Sequence, residues 1–271
     1  MRWVSKKYLW VSLLSVLTST GLHAEPLALE WQDESKWRYS ITAYGFLPFS
    51  TDGTSTIAGS SVDLDLDFGD AVDLLDFAIA GRFEAWKGDW GLIVDANYVE
   101  LSAGDTIALG PGPSIAVDAD IRQAWLGLLA AYRIANSTYG ASDRRFSFDI
   151  QGGARYNRLK QEIDITTPGP NPSLGGTEEW WEPVVGGRAV WELDDDWNAV
   201  VAADFGGFGA GGNDLQVGIN AGFSRRIGKT GSLRLGYRYY SIDFSEGRSD
   251  GDFALDMKQH GPYIGFTWRL Q

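Results

Sequence analysis

From Trp197 to Phe205 every second residue is apolar: Trp197, Ala199, Val201, Ala203 and Phe205 alternate with Asn198, Val200, Ala202 and Asp204. Successive side chains of a strand point to opposite faces, so a period of two marks a strand with one apolar and one small or polar face. The pattern recurs along most of the chain. Phe77, Ile79, Gly81 and Phe83 oppose Ala78, Ala80, Arg82 and Glu84; Trp90, Leu92, Val94 and Tyr98 oppose Gly91, Ile93, Asp95 and Asn97. Phe146, Phe148, Ile150 and Tyr156 oppose Ser147, Asp149, Gln151 and Arg155, and Trp181, Val185 and Trp191 oppose Glu182, Val184 and Arg188. Leu233, Leu235 and Tyr237 oppose Arg234, Gly236 and Arg238. A chain built this way is all-β.

Gly207, Gly209 and Gly212 match the spacing of a dinucleotide-binding loop. That loop must lead into a helix whose N-terminus takes the pyrophosphate. Here Leu215, Val217, Ile219 and Ala221 alternate again, so the glycines read as a connection between strands.

Alternation alone does not say which face meets water. The polar face carries full charges, which suits a wet interior with the apolar face turned to lipid. Short connections (Lys87–Asp89, Asp194–Asp196, Gly228–Gly231) alternate with long ones (Pro48–Asp76, Leu101–Ser114, Thr166–Thr177, Gly206–Asp214, Ser245–Asp252), as in outer-membrane barrels. Trp37, Trp86, Trp90, Trp191, Trp197 and Trp268 stand near strand ends, where rings mark a membrane–water interface. Strands in lipid must satisfy every backbone group, which requires a closed barrel.

The N-terminus agrees. Arg2, Lys6 and Lys7 precede the apolar run Tyr8–Leu17 and a small-residue site at Ala24, the layout of a secretory signal peptide. Its removal takes three basic residues and no acids, lowering the net charge from −13 to −16. Such an acidic chain repels nucleic acid. There is no cysteine, hence no disulfide or thiolate metal site.

The expected organisation is a signal peptide over 1–24, a periplasmic segment over 25–36 and a barrel over 37–271. The fold expected is a transmembrane antiparallel up-and-down β-barrel of about ten strands, with eight or twelve as alternatives. An even count places both termini in the periplasm. The segment 50–76 is expected as a long outer loop with a short helical turn in "DAVDLLD"; if Val62–Phe68 joins the sheet, the count becomes twelve. One strand resists simple alternation: Ala124–Ile134 is apolar on both faces, which a β-bulge near Gln123 would explain.

The pieces "EAWKGDWGLIVDANYVEL", "WWEPVVGGRAVWEL", "ADFGGFGAGGND", "LRLGYRYYSIDF" and "HGPYIGFTWRL" resemble those of small Gram-negative outer-membrane barrels of the outer membrane protein A/W type, in a poorly characterised subfamily. The resemblance implies fold, bacterial outer-membrane location, a lipid and lipopolysaccharide surround and insertion by the barrel-assembly machinery. It implies no activity and no site residues. Barrels of this kind often end on an aromatic residue, whereas this chain ends Trp268-Arg269-Leu270-Gln271.

Polar parity gathers a candidate lumen charge cluster: Arg82, Glu84, Asp95, Asp149, Arg155, Arg188, Asp204, Arg234 and Arg238. No cofactor, metal or catalytic site is expected. Asp63, Asp65, Asp67, Asp70, Asp73 and Asp76 invite a calcium reading, but counting from Asp63 the positions that need Gly and Glu hold Phe68 and Leu74. These acids read either as a solvated face or as a loop folded inward onto the lumen arginines. His260 is the one histidine outside the signal segment, and spacing pairs it with no nucleophile. The expected role is structural or surface-interactive, with no surface ligand identified. A narrow solute channel is the alternative and a lipid-modifying enzyme a third reading.

Overall fold

A computed structural model describes residues 35–108 and 114–270. The expected signal peptide and residues 25–34 lie outside the described residues. Twelve strands and one short helix follow in order: β1 (Arg38–Phe46), β2 (Ser50–Ile57), β3 (Ser60–Asp67), α1 (Phe68–Leu74), β4 (Leu75–Lys87), β5 (Trp90–Ala108), β6 (Ser114–Tyr139), β7 (Arg144–Thr166), β8 (Ser173–Glu192), β9 (Trp197–Ala210), β10 (Asn213–Ile227), β11 (Gly231–Arg248) and β12 (Gly251–Leu270).

Neighbouring strands pair antiparallel, and β1 closes on both β4 and β12. Closure leaves no edge through the ten-strand ring, so its backbone groups are satisfied within the wall. The other two strands come from the expected first loop. β2 continues β1 along the same neighbour, with Leu47 N and Phe49 N donating to Pro262 O (3.2 Å) and His260 O (2.8 Å) across the break. Glycine is required opposite that break, since a Cβ on Gly261 would stand 2.2 Å from Leu47 O. β3 turns back along β2, and α1 links it to β4. Asp67 caps α1 by accepting from Asp70 N while the Asp70 carboxylate accepts from Asp67 N. Val62–Asp67 therefore joins the sheet, and the strand count among the described residues is twelve.

Two bands of aromatic side chains ring the outer face. One holds Trp90 beside Tyr132 and Phe146 beside Trp191, with centroids 4.8 and 5.4 Å apart; the other holds Tyr156 beside Trp181 at 5.4 Å. On β8 the bands are set by Trp191 and Trp181, a spacing that matches the roughly 9–11 residues of a membrane-crossing strand. Between them Ile150, Val185 and Val201 face outward at 44, 52 and 43% exposure.

Past the second band the polarity of the two faces inverts. On β11 the inward Arg234 and Arg238 give way to Tyr240, Ile242 and Phe244, while the outward Leu235 and Tyr237 give way to Ser241 and Asp243. The outer face there carries the half-buried pair Arg122–Glu100 (2.7 Å) and the exposed pair Arg158–Glu179 (3.4 Å). Inside, Leu159, Trp180, Ile242, Phe244, Phe253, Leu255 and Met257 pack into a buried core. The wall thus continues beyond the lipid as a water-soluble barrel end. Most of the expected long connections are accordingly strand: the hairpin between β9 and β10 turns on Gly211 and Gly212, both at positive φ, and only Ser249–Asp250 separates β11 from β12. Pairing persists through the inversion, so that β2, β3 and the end of β9 take up residues that alternation alone assigns to connections.

The bulge expected near Gln123 is absent. Gln123 pairs in unbroken register with Val99 and Leu159, and the register shift lies between Arg133 and Ala135. The double apolar face has another cause: Leu129 and Ala131 point inward into a small core with Trp86, Ile93 and Val184.

Candidate functional site: the charged lumen

The inner faces of β4, β5, β7, β8 and β9 bring seven of the nine candidate charges into ion pairs. Arg82 Nε donates to Glu84 Oε1 and its Nη1 to Asp95 Oδ2, both at 2.9 Å. Arg188 Nη1 reaches Glu84 Oε1 at 2.7 Å and its Nη2 reaches Asp149 Oδ2 at 3.0 Å. Arg133 Nε closes on Asp149 Oδ1 at 2.8 Å. The result is one chain of alternating charge, Asp95–Arg82–Glu84–Arg188–Asp149–Arg133. A second group joins Arg155 to Glu182 (2.9 Å) and Asp204 (3.0 Å). Arg234 and Arg238 lie on the same inner surface but take part in neither group.

These charges are held by packing as well as by each other. Glu84 and Glu182 are 4 and 1% exposed, and each also accepts an indole N–H, from Trp86 (2.9 Å) and Trp180 (3.1 Å) respectively. Glu182 accepts further from Asn213 Nδ2. Room for the Arg155–Glu182 pair comes from Gly206, where a Cβ would meet Glu182 Oε1 at 2.5 Å and Arg155 Nη2 at 2.7 Å.

The lumen is spanned at two levels. Arg188 on β8 reaches Glu84 on β4, four wall positions away. Gln123 Nε2 on β6 donates to Tyr240 OH on β11, directly opposite, at 2.9 Å, and Trp125 stacks on Tyr240 with centroids 5.6 Å apart. A cavity of about 130 Å³ is lined by residues of both crossings, among them Arg188 and Trp125.

Sequence parity missed three members of this site. Glu182 and Arg133 carry the inward parity, which is masked at Arg133 by a strand that is apolar on both faces. Trp86 is not an interface aromatic: although it flanks a turn, it shares the inward parity of Arg82 and Glu84. Its ring is 7% exposed inside the barrel, with the Arg133 guanidinium 5.0 Å and that of Arg188 5.7 Å from its centroid. Trp37, Trp90 and Trp268 face outward at 46, 64 and 46% exposure, and Trp191 and Trp197 share the outward parity, half-buried.

The acids of the first loop do not meet the lumen arginines. Asp63, Asp65 and Asp67 are exposed, and the partly buried Leu64 of β3 packs against the outer core. Among the described residues no group of three or more acidic or histidine side chains is arranged to hold a metal. His260 lies on the outer face, its Nδ1 2.5 Å from Tyr237 OH. Its cross-strand neighbour Ser50 donates to Asp52 instead.

No protein-family model matches this chain, and no curated protein does. Among solved structures, it is similar to the outer membrane protease OmpT from Escherichia coli (9% identity, 87% of this chain and 97% of that one, TM-score 0.48). It is also similar to the translocator domain of the autotransporter NalP from Neisseria meningitidis (12%, 86 and 88%, 0.44) and to Ail, the attachment invasion locus protein of Yersinia pestis (9%, 86 and 97%, 0.31). Identities and scores this low transfer nothing from those proteins to this one. The ring of antiparallel strands, the apolar outer band and its two aromatic borders make this a transmembrane β-barrel of the bacterial outer membrane.

Proposed function

We propose that this protein is a closed outer-membrane barrel whose role is structural or surface-interactive, serving envelope integrity or adhesion through its outer end. The observation that carries this reading is the double crossing of the lumen, by Arg188–Glu84 and by Gln123–Tyr240 with Trp125. Charges buried in a narrow barrel are tolerable when paired, and pairing them across the axis fills the path a solute would take. The seven paired charges named from sequence, with Glu182 and Arg133 added, then act as a plug. The outer end, with its own apolar core and charged exterior, is the surface available for contact with other molecules.

Within this reading the chain is a small barrel of the outer membrane protein A/W type. Residues 1–24 are its signal peptide, 25–36 its periplasmic segment, and the barrel-assembly machinery inserts it. N-terminal sequencing of the mature protein should begin at Glu25. Planar-bilayer recording of the refolded protein tests the plug. Silence at ordinary voltages is expected, and steady large conductance would replace this reading with the channel.

A further inference from the structure

The middle of the lumen holds more cations than anions. Arg82, Arg133, Arg155, Arg188, Arg234 and Arg238 face Glu84, Asp95, Asp149, Glu182 and Asp204. The first four arginines engage all five carboxylates. Arg234 and Arg238 keep a buried Nε with no hydrogen-bond partner, and Arg238 is only 8% exposed. A buried cation without a counter-charge is costly, so a site that keeps two of them has room for an anion.

The room is there. Both arginines project from the inner face of β11 on either side of Gly236, and all three line the central cavity. The Arg238 guanidinium lies 5.4 Å from the Trp125 ring, 5.6 Å from Phe46 and 5.6 Å from Tyr240. Aromatic rings fix a guanidinium without consuming its N–H donors, which stay available for an oxyanion. Asn220, the cross-strand partner of Arg238, also lines the cavity.

We propose that this cavity is a binding site for a small oxyanion, a carboxylate or phosphate group held by Arg238 and Arg234. The inference goes beyond the structural role above and does not depend on it.

The test uses the refolded full barrel in detergent, with sodium phosphate and sodium acetate as probes at constant ionic strength set by sodium chloride. The unfolding midpoint is followed against probe concentration, with probe either present during refolding or added afterwards. A ligand that binds only the folded barrel raises the midpoint in a saturable way. That rise is expected for at least one probe in at least one arm, and it should vanish in the double variant Arg234→Gln/Arg238→Gln. Without probe, the double variant should be no less stable than wild type, because the two guanidiniums it removes pair with none of the five carboxylates. Arg238→Lys keeps the charge but loses the planar fork, and should weaken binding about tenfold. An equal rise in wild type and double variant would overturn the site. So would a wild-type midpoint that shows no saturable response in either arm even at about 100 mM probe.

Discussion

Arg188 Nη1 lies 2.7 Å from Glu84 Oε1, joining strands that stand four places apart around the wall. The contact also links two halves of the charge network, since Arg188 holds Asp149 and Glu84 holds Arg82. Removing Arg188 leaves buried carboxylates short of a partner. Arg188→Ala should therefore destabilise the barrel by about 3–5 kcal/mol. Arg158→Ala, which breaks the exposed pair with Glu179 on the outer end, should cost less than about 1 kcal/mol. Urea unfolding in lipid vesicles, followed by loss of the folded band on unheated gels, separates the two.

The lipid face is tested by neighbours of opposite parity. Val201 faces outward and Ala202 lines the cavity. Val201→Arg should cost roughly 2–4 kcal/mol if it lies near the bilayer midplane. Ala202→Arg should cost less, because its side chain enters a space already built for arginines. Equal losses in a vesicle-refolding assay would mean that the two faces are exchanged.

Orientation follows from the unequal barrel ends. The chain has no cysteine, so single substitutions give clean labelling sites. Gly169→Cys, in the turn between β7 and β8, should react with an impermeant maleimide on intact cells. Lys229→Cys, in the turn between β10 and β11, should react only after the envelope is opened. Labelling of Lys229→Cys alone on intact cells would invert the topology.

The Asp194 turn should respond to acid. Its carboxylate accepts the amide N–H groups of Asp196 and Trp197, both at 2.8 Å, and these two bonds hold it below the usual carboxylate range. A depressed value in the folded state means that the stabilisation is fully present above the unfolded value of about 3.9. It is lost as pH falls through the lower, folded value. Amide exchange at Asp196 and Trp197 should accelerate over that acid range beyond its intrinsic pH dependence. Asp194→Asn keeps an acceptor oxygen and should flatten the response.

The membrane part of this fold was legible because lipid and lumen impose opposite demands on alternate residues. Parity alone placed Arg82, Glu84, Asp149, Arg155 and Arg188 inside. It erred where local position was weighed above parity: Trp86 was assigned by the turn it flanks, though two residues earlier Glu84 already showed the inward phase. It was silent where the inside is itself apolar, as at Leu129 and Ala131, because two apolar faces look alike in sequence. Which arginine meets which carboxylate was beyond reach, since those partners come from strands up to 104 residues apart. Part of the outer extension, Ser50–Ile57 and the end of β9 among it, reads as loop for a related reason. Its strands still alternate, but in the opposite phase, and Ile242, Phe244, Leu255 and Met257 belong to an interior that begins only where lipid ends.

That reversal of phase also acts as a waterline. If the barrel sank deeper, the outward Arg122, Arg158, Glu179 and Asp243 would enter hydrocarbon; if it rose, Ile150, Val185 and Val201 would face water. Both displacements are opposed, the first by charge and the second by apolar area. The draught of the barrel is thus written into the wall itself, and the outer end stands at a fixed height above the lipid.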